Sequence, residues 1–214
     1  MNRDILPTLR ETYNAPIFGE NDLPSNPLAQ FQLWFNDALS NKIKEPNAMT
    51  LATCTKEGKP SARIVLLKGL DENGFIFYTN YLSRKAEDIK ENPNVALVFL
   101  WLEIHRQVRI EGHIEMVSKE ISETYFQSRP KGSQIGAWSS NQSAELNARS
   151  ELIDNIKKFE KKYEDQDIPR PSHWNGYLVK PQLIEFWQEM PFRIHDRVVY
   201  TLFNNKWKIK KLYP

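Results

Sequence analysis

The stretch Gln107-Val108-Arg109-Ile110-Glu111-Gly112-His113-Ile114-Glu115-Met116-Val117 decides the fold. Val108, Ile110, Ile114 and Met116 alternate with Gln107, Arg109, Glu111, His113 and Glu115. A period of two puts the first set on one face of a strand and the second on the other, as in an antiparallel sheet with one side on a core. Working back along the chain, extended segments are expected at Met49–Thr55, Ala62–Lys68, Phe75–Thr79 and Val95–Trp101. Turn signals at Glu57-Gly58 and Asn73-Gly74 separate the early ones, as consecutive hairpins require. The expectation is a meander of antiparallel strands, followed by further strands near Leu183–Trp187, Arg197–Leu202 and Trp207–Leu212.

Helical periodicity frames these strands. Pro27 suits a first helical turn, and Leu28, Phe31, Trp34, Phe35, Ala38 and Leu39 recur at the spacing of an amphipathic helix reaching about Lys44. Further helices are expected at Lys119–Gln127, at Ala144–Tyr163, and after Ser83. Strand-rich segments with peripheral helices predict an α+β, mainly antiparallel fold built on a closed or partly closed barrel. Residues 1–24 are polar and irregular and read as a mobile arm, leaving 25–214 as one domain.

Composition excludes several function classes. The chain has 214 residues, 40% of them apolar, and a net charge of +2 with no basic block of the kind nucleic-acid binders carry. Its single cysteine, Cys54, forms no internal disulfide, and four scattered histidines make no metal-ligand cluster. A reducing cytoplasm fits, with no membrane span, signal peptide or nucleic-acid partner expected. The eight glycines include no G-x-G-x-x-G and no P-loop, and there is no G-x-S-x-G elbow. His105, His113 and His173 read as structural, and Cys54 as a packed residue.

Cations in unusual places mark the candidate chemistry. Arg193, His195 and Arg197 occupy alternate positions, which on a short strand would aim all three at one surface; a solvated edge strand is the competing reading. Arg84 and Lys85 follow Ser83 at the start of a helix, where cations oppose the helix dipole but, with free N–H groups, suit a phosphate. Arg63 and Lys68 bracket Ile64-Val65-Leu66-Leu67 at an odd separation, reaching either two anions or one through a bend. Tyr125, Arg129 and Ser133 advance by four, so they stack on one helix face or, if Pro130 breaks the helix, converge through a turn. Each set has an ordinary surface role as its alternative.

Taken in order, these segments resemble the pyridoxamine 5′-phosphate oxidase family of flavin enzymes. The matching pieces are Arg63 to Lys68, Phe77 to Asn80, Ser83-Arg84-Lys85, Arg106 to Arg109, Ser128-Arg129-Pro130, Ser133 to Trp138, Gln142-Ser143, Glu185-Phe186-Trp187, Arg193 to Arg197 and Lys211 to Pro214. Two departures stand out: His105 where an acidic residue is expected, and Glu189-Met190-Pro191 in place of a glycine-rich lead.

The resemblance implies a split β-barrel homodimer with FMN at the subunit interface. It implies FMN contacts from Arg63, Ile64, Val65, Leu66, Leu67, Lys68, Tyr78, Thr79, Arg84, Lys85, Gln107, Gln142, Ser143, Trp187 and Arg197. It places the substrate phosphate at Lys68, Tyr125, Arg129 and Ser133, Arg193 and His195 as catalytic residues at the pyridine ring, and Arg10 and Tyr13 in an arm over the substrate. The implied reaction is oxidation of pyridoxamine 5′-phosphate or pyridoxine 5′-phosphate by O2 to pyridoxal 5′-phosphate and peroxide. A flavin oxidase of phenazine biosynthesis and a non-catalytic FMN or pyridoxal phosphate carrier on the same fold are the competing readings.

Overall fold

A computed structural model of the chain describes Ile17, Phe18 and residues 23–214. The helices are α1 (Pro27–Ser40), α2 (Arg84–Glu91), α3 (Lys119–Gln127), α4 (Lys131–Ser139) and α5 (Arg149–Lys162). The strands are β1 (Ala48–Cys54), β2 (Pro60–Leu66), β3 (Gly69–Asp71), β4 (Gly74–Asn80), β5 (Asn94–Trp101), β6 (Arg106–Met116), β7 (Trp174–Gln188), β8 (Asp196–Phe203) and β9 (Lys206–Lys211). They form one sheet in the order β2-β1-β5-β6-β7-β4-β3, with β8 on β7 and β9 on β8. The β1–β2, β3–β4, β4–β7, β7–β8 and β8–β9 ladders are antiparallel. This is the α+β split-barrel class that the sequence implies.

The hairpins at Gly58 and Gly74 form as expected, but the simple meander does not. α2 intervenes after β4, so β4 pairs with β7 and β5 pairs with β1. β7 begins well before the expected Leu183 because Asn175, Gly176 and Pro181, which look like breakers, are tolerated inside the strand. Gly112 explains part of this: a Cβ there would collide with the Lys180 carbonyl, so only glycine permits the close backbone approach next to Pro181. β6 spans the expected residues, with Val108, Ile110 and Ile114 buried; Met116, at its end, is exposed. The helix expected over 144–163 starts only at Arg149, and α4 was not foreseen at all.

Two compact units emerge. The first comprises the described part of Met1–Pro46 with Val98–Ile110 and Gln182–Pro214. Its core is aromatic: Phe31 of α1 lies 5.0 Å from Phe99, Trp34 meets Phe186 edge-on at 5.2 Å, and Phe186 meets Tyr200 at 5.6 Å. Such edge contacts add to the burial of these large rings. α1 is entered through Asn26, whose Oδ1 accepts the Leu28 N–H at 2.9 Å, with Pro27 following where its missing N–H costs nothing.

The second unit comprises Asn47–Leu97 and Glu111–Pro181. Phe126, Ile135, Tyr163, Ile168 and Trp174 form a buried cluster under α3, α4 and α5. Gly176 makes room on β7 for Tyr78: a Cβ there would lie 2.7 Å from the Tyr78 ring and from Val117.

Two glycines with opposite surroundings give a direct check. Gly112→Ala should destabilise the protein by about 2 kcal/mol or more, because the Lys180 backbone must move. Gly136→Ala, inside α4 with open space around the added methyl, should stabilise it by about 0.5–1 kcal/mol. Urea unfolding of the two variants measures both.

Candidate active site

A cavity of about 790 Å³ opens in the second unit, lined from β2, β4, α2, α3, α4 and the loop at Gln142-Ser143. It brings together Arg63, Ile64, Val65, Leu66, Lys68, Tyr78, Thr79, Arg84, Lys85, Tyr125, Arg129, Ser133, Gln142 and Ser143. Leu67 alone of its segment turns away into the core, its N–H on the Asn47 carbonyl at 2.8 Å. Lys68 lies just past the end of β2, which is the bend that lets it share a cavity with Arg63.

At one end sits a cluster of cations. The Lys85 ammonium is buried and donates to Thr79 Oγ1 at 3.1 Å, Ser83 Oγ at 3.0 Å and Gln142 Oε1 at 3.1 Å. All three partners are neutral, so its charge is solvated by dipoles rather than by a carboxylate. Burial, helped by the positive charge of Arg63, pulls its pKa from the ordinary lysine value down to about 8. Ser83 precedes α2 at the N-cap position but does not cap it through its side chain; its hydroxyl donates to the Asn80 carbonyl at 2.7 Å and accepts from Lys85. Arg63 donates to Leu51 O at 3.2 Å, Thr53 Oγ1 at 2.8 Å and Ser61 Oγ at 2.8 Å. Burial also lowers the Arg63 pKa, partly offset by Asp88.

Around α3 and α4 lies a second cationic group. Pro130 breaks the helix, as the alternative reading had it: α3 ends at Gln127, α4 begins at Lys131, and Tyr125, Arg129 and Ser133 meet through the turn. Tyr78 lies nearly parallel to Tyr125, at 4.0 Å, and to Trp174, at 5.2 Å, and those two rings are themselves 6.1 Å apart. The Arg129 guanidinium lies 4.6 Å above the Trp174 ring. Its Nη1 is buried without a hydrogen-bond partner, and burial lowers its pKa. A buried cationic donor left unpaired is costly, so an acceptor in the cavity would relieve a cost already present in the chain. Trp174 was not singled out from sequence; nothing in its immediate context separates it from a core aromatic residue.

The remaining candidates, Gln107, Trp187, Arg193, His195 and Arg197, belong to the first unit. Here the structure corrects the sequence reading. Arg193, His195 and Arg197 do not share one strand: Pro191–Arg193 is a 3₁₀ turn and β8 starts at Asp196. Phe192 and Arg193 both take left-handed backbone angles, with φ of 58° and 64°. Pro191 favours that turn, and His195 Nδ1 closes it by accepting the Met190 N–H at 3.1 Å. That bond puts the proton of a neutral His195 on Nε2. The imidazole packs on Trp187 at 4.6 Å. Arg197 is held by buried Glu185, Nε to Oε1 at 2.7 Å, and donates to the Tyr213 carbonyl at 2.9 Å. Of the expected histidines, His105 takes a left-handed φ of 55° and pairs with Glu189 at 3.1 Å. Arg10, Tyr13 and most of the expected arm over 1–24 lie outside the described residues.

Comparison with known proteins follows this geometry. Residues 35–163 match the family model described as pyridoxamine 5′-phosphate oxidase, and residues 174–214 the one described as the pyridoxine 5′-phosphate oxidase C-terminal dimerisation region. The chain belongs to the pyridoxamine 5′-phosphate oxidase family. A pyridoxine/pyridoxamine 5′-phosphate oxidase of Cyanothece sp. is 51% identical over 206 residues, 96% of this chain and 97% of that protein. One from Burkholderia multivorans is 51% identical over 212 residues, 98% and 99% of the two chains. Among solved structures, PhzG from Burkholderia lata 383 in complex with tetrahydrophenazine-1-carboxylic acid is 27% identical, with a TM-score of 0.90 over 95% of this chain and 100% of that one. No described helix is long and apolar enough to cross a membrane, and no group of metal-ligating side chains occurs among the described residues.

The lowered Lys85 pKa sets a pH signature. An anion beside the ammonium raises its pKa, so anion affinity is full below about pH 8 and falls as pH rises above it. Calorimetric titration with inorganic phosphate should show affinity weakening by up to about tenfold per pH unit above that point. Lys85→Arg, which stays charged, should flatten the profile.

Proposed function

We propose that the chain is an FMN-dependent oxidase that converts pyridoxamine 5′-phosphate and pyridoxine 5′-phosphate to pyridoxal 5′-phosphate with O2, working as a homodimer with FMN at the subunit interface. The observation that carries this reading is a single cavity whose lining includes two sets of residues that the reading assigns to two phosphates, Arg63, Arg84 and Lys85 in one and Lys68, Tyr125, Arg129 and Ser133 in the other. One phosphorylated cofactor and one phosphorylated substrate account for both. The buried, unpaired Arg129 Nη1 and the Lys85 ammonium among neutral dipoles are the donors that fit phosphate oxygens. FMN supplies hydride acceptance from C4′ and reoxidation by O2 to peroxide.

The chain's own residues bind and orient. Arg63, Arg84 and Lys85 would hold the cofactor phosphate, and the positive φ of Ser143, 75°, shapes the loop beside them. Arg129 and Ser133 would hold the substrate phosphate, fixing the ring so that C4′ faces the flavin. Arg193 and His195, from the turn before β8, would act at the pyridine ring, His195 through its Nε2–H. The alcohol substrate gives the aldehyde and peroxide; the amine substrate consumes water as well and releases ammonia.

A second reading, an oxidase of a tricyclic substrate, is favoured by the close match to PhzG. Such a substrate would bring Arg129 a carboxylate but no phosphate for the Lys68, Tyr125, Arg129 and Ser133 set. Incubation with pyridoxamine 5′-phosphate and O2 separates the readings: equal amounts of peroxide, ammonia and aldehyde support the proposal, and no turnover in the presence of tightly held FMN would overturn it.

Two variants divide the cavity. Lys85→Ala should weaken FMN retention by about ten- to a hundredfold, and Arg129→Ala should raise KM for the phosphorylated substrate by a similar factor while flavin content stays normal. Equal loss of FMN in both, with KM unchanged, would refute the division.

Arg193 and His195 have a separate signature. Arg193→Ala should lower kcat/KM by at least about tenfold with FMN still bound, since a guanidinium near developing charge contributes at least one strong hydrogen bond. Near-normal turnover in an Arg193→Ala, His195→Ala double variant would remove both from the catalytic set.

A further inference from the structure

Asp88 stands out among the groups around the cavity because it is a buried carboxylate, 5% exposed, that the proposed reaction does not use. It lies on α2, one turn beyond Arg84 and Lys85. Thr53 Oγ1, itself 3% exposed, donates to Asp88 Oδ2 at 2.6 Å. The same Thr53 oxygen accepts from Arg63 Nη1 at 2.8 Å, and Arg63 Nη2 lies 3.7 Å from Asp88 Oδ2. A hydroxyl has one proton; with that proton committed to the carboxylate, its lone pairs must face the guanidinium. Asp88 therefore fixes the direction of the bond that holds Arg63.

We propose that Asp88, acting through Thr53, is a positioning residue for Arg63 and so for recognition of the cofactor phosphate. The inference rests on the reading of the Arg63 and Lys85 end of the cavity as the phosphate site. Three guanidinium donors are engaged by Leu51, Thr53 and Ser61, so the plane of Arg63 is set by β1 and β2 and its other N–H groups are left for a ligand. Asp88 links that plane to α2, the helix carrying the other two cations. The relay aligns two elements that approach one phosphate from different directions.

The sign of the effect separates positioning from simple electrostatics. Removing a negative charge beside three cations should tighten anion binding if charge alone mattered; loss of positioning should weaken it. FMN and riboflavin differ by the phosphate, so their dissociation constants, measured by flavin fluorescence on the full chain, isolate the effect. Asp88→Ala, which removes the acceptor as well as the charge, and Thr53→Val should each weaken FMN about tenfold and leave riboflavin unchanged. Combined, they should lose little more than the weaker single variant, as members of one relay do. Thr53→Ser, which keeps the hydroxyl, should bind FMN like the parent. If Asp88→Ala does not fold, Thr53→Val and Thr53→Ser carry the comparison alone. Unchanged or tighter FMN binding in Asp88→Ala or Thr53→Val, or equal losses for FMN and riboflavin, would overturn the proposal. A parent chain that does not distinguish FMN from riboflavin would overturn the phosphate-site reading and the inference with it.

Discussion

Burying positive charge without giving it a full set of negative partners is the constraint on which the cavity depends. Lys85 is surrounded by the oxygens of Thr79, Ser83 and Gln142, and Arg129 has a buried nitrogen with no acceptor. Burial disfavours the charged form of both, helped at Lys85 by the positive charge of Arg63, and so lowers both pKa values. A protein tolerates such costs where a ligand offsets them, and two of them in one cavity is hard to explain by packing alone. The contrast with Arg197 is instructive. There Glu185 supplies the carboxylate and the pKa is raised, so that guanidinium is satisfied within the chain.

Holding these cations requires a stiff surround, and the sequence supplies it with aromatic rings and paired strands. Tyr125, Tyr78 and Trp174 form a compact group of nearly parallel rings, with Tyr78 at interplanar angles of 16° and 7° to the other two. Arg129 rests on the face of Trp174, a cation–π contact that is stronger for a desolvated guanidinium than for an exposed one. Trp174 also belongs to the buried cluster with Phe126 and Ile135, so the anchor of the second cationic group is continuous with the core. Gly176, two residues along β7 from that tryptophan and opposite Tyr78 in register, is the residue that leaves room for the Tyr78 ring.

Much of this was legible in the sequence, and the failures have physical causes. Period-two alternation located β6, and turn residues located the β1–β2 and β3–β4 hairpins, because both signals are local. Strand order was not legible: the pairing of β4 with β7 and of β1 with β5 depends on contacts between distant segments, and alternation says only that a face is buried. Pro181 and Gly176 concealed half of β7 because breaker residues are read locally, while the close approach of Gly112 to Lys180 and Pro181 and of Gly176 to Tyr78 and Val117 is tertiary. Of the site residues read from the sequence, Arg63 to Leu66, Lys68, Arg84, Lys85, Tyr125, Arg129 and Ser133 line one cavity, while Leu67 is buried in the core. The alternate spacing of Arg193, His195 and Arg197 misled about local structure, since Pro191 starts a tight turn where a strand was expected. Thr53 and Asp88 were invisible, being an ordinary strand residue and an ordinary helix residue until the fold sets them against Arg63.

The choice of arginine or lysine at each cationic position follows from how many neighbours must be satisfied. Arg63 touches Leu51, Thr53 and Ser61 on two strands while still facing the cavity, which needs the planar, multi-donor fork of a guanidinium. A lysine there could not bridge both strands and present a donor to a ligand at once. Lys85 has the opposite task. Its compact ammonium sits among three oxygens from β4, the residue before α2 and the Gln142 loop, one for each of its N–H donors. Gln142 lies on an exposed loop while Thr79 and Ser83 are buried, so under the proposed reading the glutamine is the acceptor that a phosphate oxygen would replace.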